Sequence, residues 1–168
     1  LVIMMRDFSL IKRMILIISL CLMPLFVMAK GGISVSGTRI IYPKESRQEI
    51  VSVRNSSATN SFLVQSWVEN AAGEKQGKFV VTPPLYLSSP GNENKLRLIF
   101  TESDSLPNDR ETLYYFINKA IPSVSNDDTP SSVVRISAAS RIKLFVRPNG
   151  LSPSSFEAPQ KLSVRKAG

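Results

Sequence analysis

The sequence predicts an all-β fold, a sandwich of two sheets. Three observations carry that expectation. After residue 29 no segment of useful length repeats its apolar residues at helical spacing. Short runs of alternating apolar and polar residues recur instead, the pattern of half-buried strands. Clusters of Gly, Pro, Asn and Ser separate those runs at the short intervals of a sandwich or barrel.

The elements follow in order. Ile33 to Tyr42 reads as a first strand or strand pair, stopped by Pro43. Glu49–Asn55 is a second strand, stopped by Asn55-Ser56-Ser57. Ser61–Glu69 is a third, with Phe62, Val64, Ser66 and Val68 on one face and Leu63, Gln65 and Trp67 on the other. Trp67 is expected to be a core residue. Asn70-Ala71-Ala72-Gly73 is a turn, and Phe79–Thr82 leads into Pro83-Pro84. Asn94–Phe100 alternates clearly, and Leu113–Asn118 is a further strand, closed by Ile121-Pro122. The last strand runs from Val133 to Val146 and ends at Arg147-Pro148. With about seven strands and no helix, the expected architecture is an immunoglobulin-like β-sandwich.

The two ends read differently. Arg6, Lys12 and Arg13 precede the apolar run Met14–Val27, and Val27-Met28-Ala29 supplies a small-residue exit. That order is a secretory signal peptide, expected to be cleaved after Ala29. The run is short of the roughly 20 residues of a membrane-spanning helix, and Pro24 interrupts it. No membrane insertion is therefore expected once residues 1–29 are removed. The domain is expected over residues 30–148. Residues 149–168 read as a linker, with Asn149-Gly150, Pro153 and Pro159, followed by the start of a strand at Leu162-Ser163-Val164. They are expected to be the stub of a second domain.

Composition removes several function classes. The one cysteine, Cys21, lies in the leader, so the exported chain has no disulfide framework and depends on a packed core. There is no histidine. The usual zinc ligands and the usual general bases near neutral pH are thus missing, and no enzyme and no cofactor are expected. The formal charge is +8. It is +6 after residue 29, where 18 basic residues stand against 12 acidic ones once Arg6, Asp7, Lys12 and Arg13 are set aside. The basic residues are scattered, and export argues against nucleic acid as a partner.

The last strand is the most informative. Val133-Val134-Arg135-Ile136-Ser137-Ala138 alternates, and Arg141 and Lys143 then stand in an apolar run. Alternation leaves two readings open. The apolar stripe packs in the protein's own core, or it is lent to a partner. Taken alone, Arg39 and Lys143 read as solvated strand residues.

Longer motifs favour the second reading. Leu106–Phe116 with Ala120-Ile121-Pro122 resembles the signature of the PapD-like periplasmic chaperones of the chaperone–usher pathway, which escort pilus subunits. Thr38-Arg39, Gln65-Ser66-Trp67-Val68-Glu69-Asn70, Thr82-Pro83-Pro84 and Ile142–Pro148 join it in the family's order. The resemblance spans residues 31 to 150. It implies a boomerang of two immunoglobulin-like domains and binding of pilus subunits by donor-strand complementation, before delivery to the outer-membrane usher. Val134, Ile136 and Ala138 would be the donor residues, Ala138 contributing weakly because it is small. Arg39 and Lys143 would hold the subunit's C-terminal carboxylate. Glu111 and Arg147 match an inter-domain salt bridge whose third partner lies in a second domain. Thr82-Pro83 matches a cis peptide bond. The short segment Ser123–Ser132 resembles the subgroup that serves rod-like pili.

One departure stands out. The family usually has asparagine where this chain has Ile117, and Asn118 follows one place later. Either the strand is bulged there or a side-chain hydrogen bond is lost. Two other functions remain open at this stage. The chain could be a truncated, inactive chaperone fragment. It could instead be a structural pilus or surface subunit, although such a subunit is expected to carry a cysteine pair. The exposed last strand also invites self-association.

Overall fold

The computed structural model describes Met14 and residues 31–102, 105–123, 136–154 and 156–164. The leader, apart from Met14, and Val134 lie outside the described residues. All the strands belong to the compact unit Gly31–Gly168.

Two sheets face each other, as expected. Among the described residues they contain nine strands rather than about seven: β1 (Ile33–Val35), β2 (Arg39–Pro43), β3 (Glu49–Asn55), β4 (Phe62–Glu69), β5 (Phe79–Thr82), β6 (Leu85–Ser88), β7 (Glu93–Phe100), β8 (Thr112–Pro122) and β9 (Ala138–Arg147). One sheet has the order β1-β3-β7-β5 and the other β2-β9-β8-β4-β6. Two features explain the higher count. The first apolar run divides where the chain crosses between sheets at Ser36–Thr38, and Gly37 takes a φ of +85° that favours glycine. A second crossing follows Pro83-Pro84, and β6 begins directly after those prolines. The Thr82–Pro83 bond is cis.

Period-2 patterning decides what is buried. Inward positions of β4 are Val64, Ser66 and Val68, all buried. Leu96 and Leu98 of β7, Phe116 of β8 and Leu144 of β9 are fully enclosed between the sheets. Each large aliphatic or aromatic side chain so buried contributes about 1.5–3 kcal/mol. Tyr42, Phe79, Phe100 and Tyr114 close one end of the core, with Phe79 stacked on Phe100 at 4.5 Å and edge-on to Tyr114 at 4.9 Å. The Tyr42 hydroxyl donates to the Ser46 carbonyl at 3.0 Å and accepts the Phe100 amide at 3.2 Å. Its polar end is therefore satisfied inside the core. Lys44 is buried as well, and its ammonium donates to the Leu106 carbonyl at 2.8 Å and to Asn108. Those bonds offset its desolvation and tie the end of β2 to the β7–β8 connection.

Three expectations need correction. Trp67 is only half-buried, on the outer face of its sheet, where its indole N–H donates to Glu69 at 2.7 Å. The outward parity of β4 outweighs the usual burial of a large aromatic residue. Leu162-Ser163-Val164 forms no strand: a 3-10 turn at Ala158–Lys161 precedes it, and all three residues are exposed. At Ile117 and Asn118 there is neither a bulge nor a lost bond. β8 keeps unbroken register with β4 and β9 through this stretch. Asn118 faces inward at 2% exposure and donates to Ser66 Oγ at 2.8 Å.

Candidate functional site

The geometry around β9 follows from unequal strand lengths. β9 pairs antiparallel with β8 along its whole length, from Ala138 to Val146. On its other side it pairs in parallel with β2, but only from Lys143 to Arg147. Before Arg39 the chain turns away at Gly37 toward the other sheet, so β2 cannot extend further along β9. Among the described residues, Ala138–Ile142 therefore has no strand on that side. Such an edge presents unpaired backbone donors and acceptors to any incoming strand.

The two expected anchor residues stand where this open edge ends. Arg39 is the first residue of β2 and is registered directly against Lys143. In strand pairing, directly registered neighbours share a face, and both side chains are exposed on the outer face of the sheet. Among the described residues no carboxylate pairs with either of them. A strand that filled the open edge parallel to β9, in line with β2, would end against Arg39. Its terminal carboxylate would meet two cations there, and such charge-assisted hydrogen bonds are about twice as strong as neutral ones.

The expected donor residues fall differently. Ile136 lies before the strand begins and is 78% exposed, and Ala138 is exposed at the first position of β9. Sequence reading carried the last strand back to Val133, but among the described residues it starts at Ala138. Ordered strand pairing stops where β8 ends. The described part of the apolar stripe is thus not spent in the protein's own core, which removes the first of the two readings for Ile136.

Glu111 and Arg147 form an ion pair at the far end of β9, with both side chains partly exposed. It stands away from the open edge, next to the segment Pro148–Ser154 that leaves the sandwich.

Sequence reading missed three features of the surroundings. Arg141 shares the outer face with Lys143, and its guanidinium lies over the Tyr115 ring, 3.7 Å from the centroid. Its two-residue spacing from Lys143 was the available signal. The second feature depends on β6. Leu87, Leu63 and Ile121 are registered side by side across β6, β4 and β8, and together with Leu85 they make an aliphatic patch on the same outer face. The third is a buried polar group on the inner face of β6. Burial raises the Tyr86 hydroxyl pKa to about 12, partly offset by the nearby Asn118 amide.

Comparisons with known proteins agree with this geometry. Residues 32–152 match the family described as pili and flagellar-assembly chaperone, PapD N-terminal domain. The chain is 42% identical over 159 residues to the probable fimbrial chaperone SfmC of Escherichia coli K12, covering 94% of this chain and 69% of that protein. It is 40% identical to the chaperone FimC of the same organism, covering 83% of this chain and 58% of FimC. The chain thus spans little more than half of FimC. The solved chaperone SafB, in complex with the pilin SafA of Salmonella enterica, superposes with a TM-score of 0.68 at 27% identity, covering 82% of this chain and 64% of that one. On the family match and the similarity to SfmC, the chain belongs to the PapD-like family of pilus-assembly chaperones.

Proposed function

We propose that this protein is a periplasmic chaperone for pilus subunits that works by lending them part of its last strand. The observation that carries the reading is the open edge of β9 at Ala138–Ile142, ending at the registered pair Arg39 and Lys143. A subunit short of one strand exposes a hydrophobic groove. The residues leading into β9, Val134, Ile136 and Ala138, supply alternating side chains to that groove. Main-chain pairing along the edge gives affinity that tolerates sequence variation. The two cations fix the register by holding the subunit's terminal carboxylate. The SafB relative is seen in complex with a pilin, which supports the same class of partner here.

The role is one of binding, with no catalytic step and no cofactor. Residues 1–29 act as the export signal that places the protein in the periplasm, and residues 30–148 form the chaperone domain. Glu111 and Arg147 brace the junction with whatever follows residue 148. The outer-membrane usher is the second partner, and the aliphatic patch of Leu63, Leu85 and Leu87 is the described surface best suited to it, since exposed patches of this kind mark protein contacts.

Co-purification with a pilus subunit whose C-terminus is intact tests the reading. Arg39→Ala and Lys143→Ala are each expected to reduce capture sharply. Unchanged capture by both variants would overturn the anchoring role.

A further inference from the structure

Directly behind the open edge of β9 the two sheets fail to close. A cleft of about 240 Å3 remains between the start of β1 and the start of β9. It is roomy, roughly eight water volumes at about 30 Å3 each. Its cause is local. Ala120 is registered against Ala138, and Asn118 against Ser140, on the inner faces of β8 and β9. Further along, the inward pairs are Tyr114 with Leu144 and Phe116 with Ile142, which do fill the space. Across the cleft stand Gly31 and Gly32, which bring no side chain. Four small residues on two elements and one polar residue thus leave a notch that opens beside the free edge.

The polar residue is incompletely paired. Asn118 lines the cleft, is 2% exposed, and uses its amide N–H on Ser66. Its Oδ1 has no hydrogen-bond partner among the described residues. A buried acceptor in that state favours any ligand that brings a donor.

We propose that this cleft is a side-chain subsite for the incoming strand, and that it selects the third residue from the subunit's C-terminus. The inference rests on the chaperone reading above. A carboxylate held by Arg39 and Lys143 sets the last residue beside Ile142, the next beside Arg141 and the third beside Ser140. Neighbours in a parallel pair share a face, so the third side chain turns inward with Ser140. The subsite prefers a large side chain with an apolar body and a terminal hydroxyl, which is tyrosine. The ring fills the notch and the O–H donates to Asn118 Oδ1. Pockets for alternate side chains are the usual source of specificity when a strand is added to a sheet edge.

The test uses the full chain and synthetic peptides of alternating valine and threonine, with tyrosine, phenylalanine or alanine third from a free C-terminus. An amidated tyrosine peptide completes the set, and Kd is read by fluorescence anisotropy. Tyrosine is expected to bind at least about tenfold more tightly than alanine, from burial of the ring. It is expected to exceed phenylalanine by about three- to tenfold, from the added hydrogen bond. Asn118→Leu should erase the preference for tyrosine over phenylalanine, and Ala120→Leu should erase that of large over small. If either variant fails to fold, Asn118→Val and Ala138→Leu make the same two tests from other positions. Equal Kd for the three free-acid peptides, with the amide binding much more weakly, would overturn the subsite and leave the anchoring reading standing. An amide that binds as well as the free acid would overturn the anchoring reading, and the subsite with it.

Discussion

Gly31 makes a sharp prediction about how the first strand is held. A Cβ placed on Gly31 would lie 2.2 Å from the Ser56 carbonyl oxygen, 2.4 Å from its carbon and 2.6 Å from the Ser57 nitrogen. All three atoms are backbone, so no rotamer change relieves the contact, and Gly31→Ala must push the chain off the β3–β4 connection. Three hydrogen bonds cross that contact. Gly32 N–H donates to Ser56 Oγ at 3.1 Å, Ser56 N–H to the Gly32 carbonyl at 2.9 Å, and Ser56 Oγ–H to the same carbonyl at 3.0 Å. At about 0.5–1.5 kcal/mol each, and with the groups exposed, the expected loss is about 1.5–3 kcal/mol. In a domain of this size that lowers Tm by on the order of 5–15 °C. Gly32→Ala is the internal control, because a Cβ there meets nothing within 4 Å. Thermal and urea unfolding of the two variants, followed by circular dichroism, decides the matter. Equal stability of Gly31→Ala and Gly32→Ala would refute the reasoning.

Three further outcomes are expected. Leu144→Ala, at a fully buried position of β9, should cost about 2–5 kcal/mol in urea unfolding. Stability should fall as pH rises from about 10 toward 12. Burial raises the hydroxyl pKa of Tyr86 to about 12 and raises that of Tyr114, so the folded state holds protons that the unfolded chain has released. The contribution is full below the unfolded value of about 10, and Tyr86→Phe should flatten the alkaline loss seen in a pH series of urea midpoints. Arg147→Ala should cost less than about 1 kcal/mol, because its pair with Glu111 is partly exposed, and a larger shift in urea midpoint would show the pair carrying more.

The sequence-level reading succeeded where a strand has one wet face. The alternation of Val64, Ser66 and Val68 against Leu63 and Gln65 determines which side of β4 meets the core, and the structure follows it. It failed where position in the sheet matters more than residue type. Trp67 has the size of a core residue but the parity of an outer one. β6 went unseen because two prolines in front of it read as a turn, and with it went the Leu85 and Leu87 half of the aliphatic patch. Asn118 looked like a misplaced hydrogen bond. Its role as a cleft wall depends on Ala120, Ala138 and Ser140, which come together only through cross-strand register. The adjacency of Arg39 and Lys143, more than 100 residues apart in sequence, likewise belongs to the parallel pairing of β2 with β9, and no local pattern encodes it.

Site-resolved hydrogen exchange on β9 tests the central claim most directly. With a pilus subunit of intact C-terminus bound, the edge amides within Ala138–Ile142 should gain strong protection, while those of Lys143–Arg147, already paired with β2, should change little. Unaltered exchange along Ala138–Ile142, with protection appearing at the edge strands β5 or β6 instead, would contradict the account.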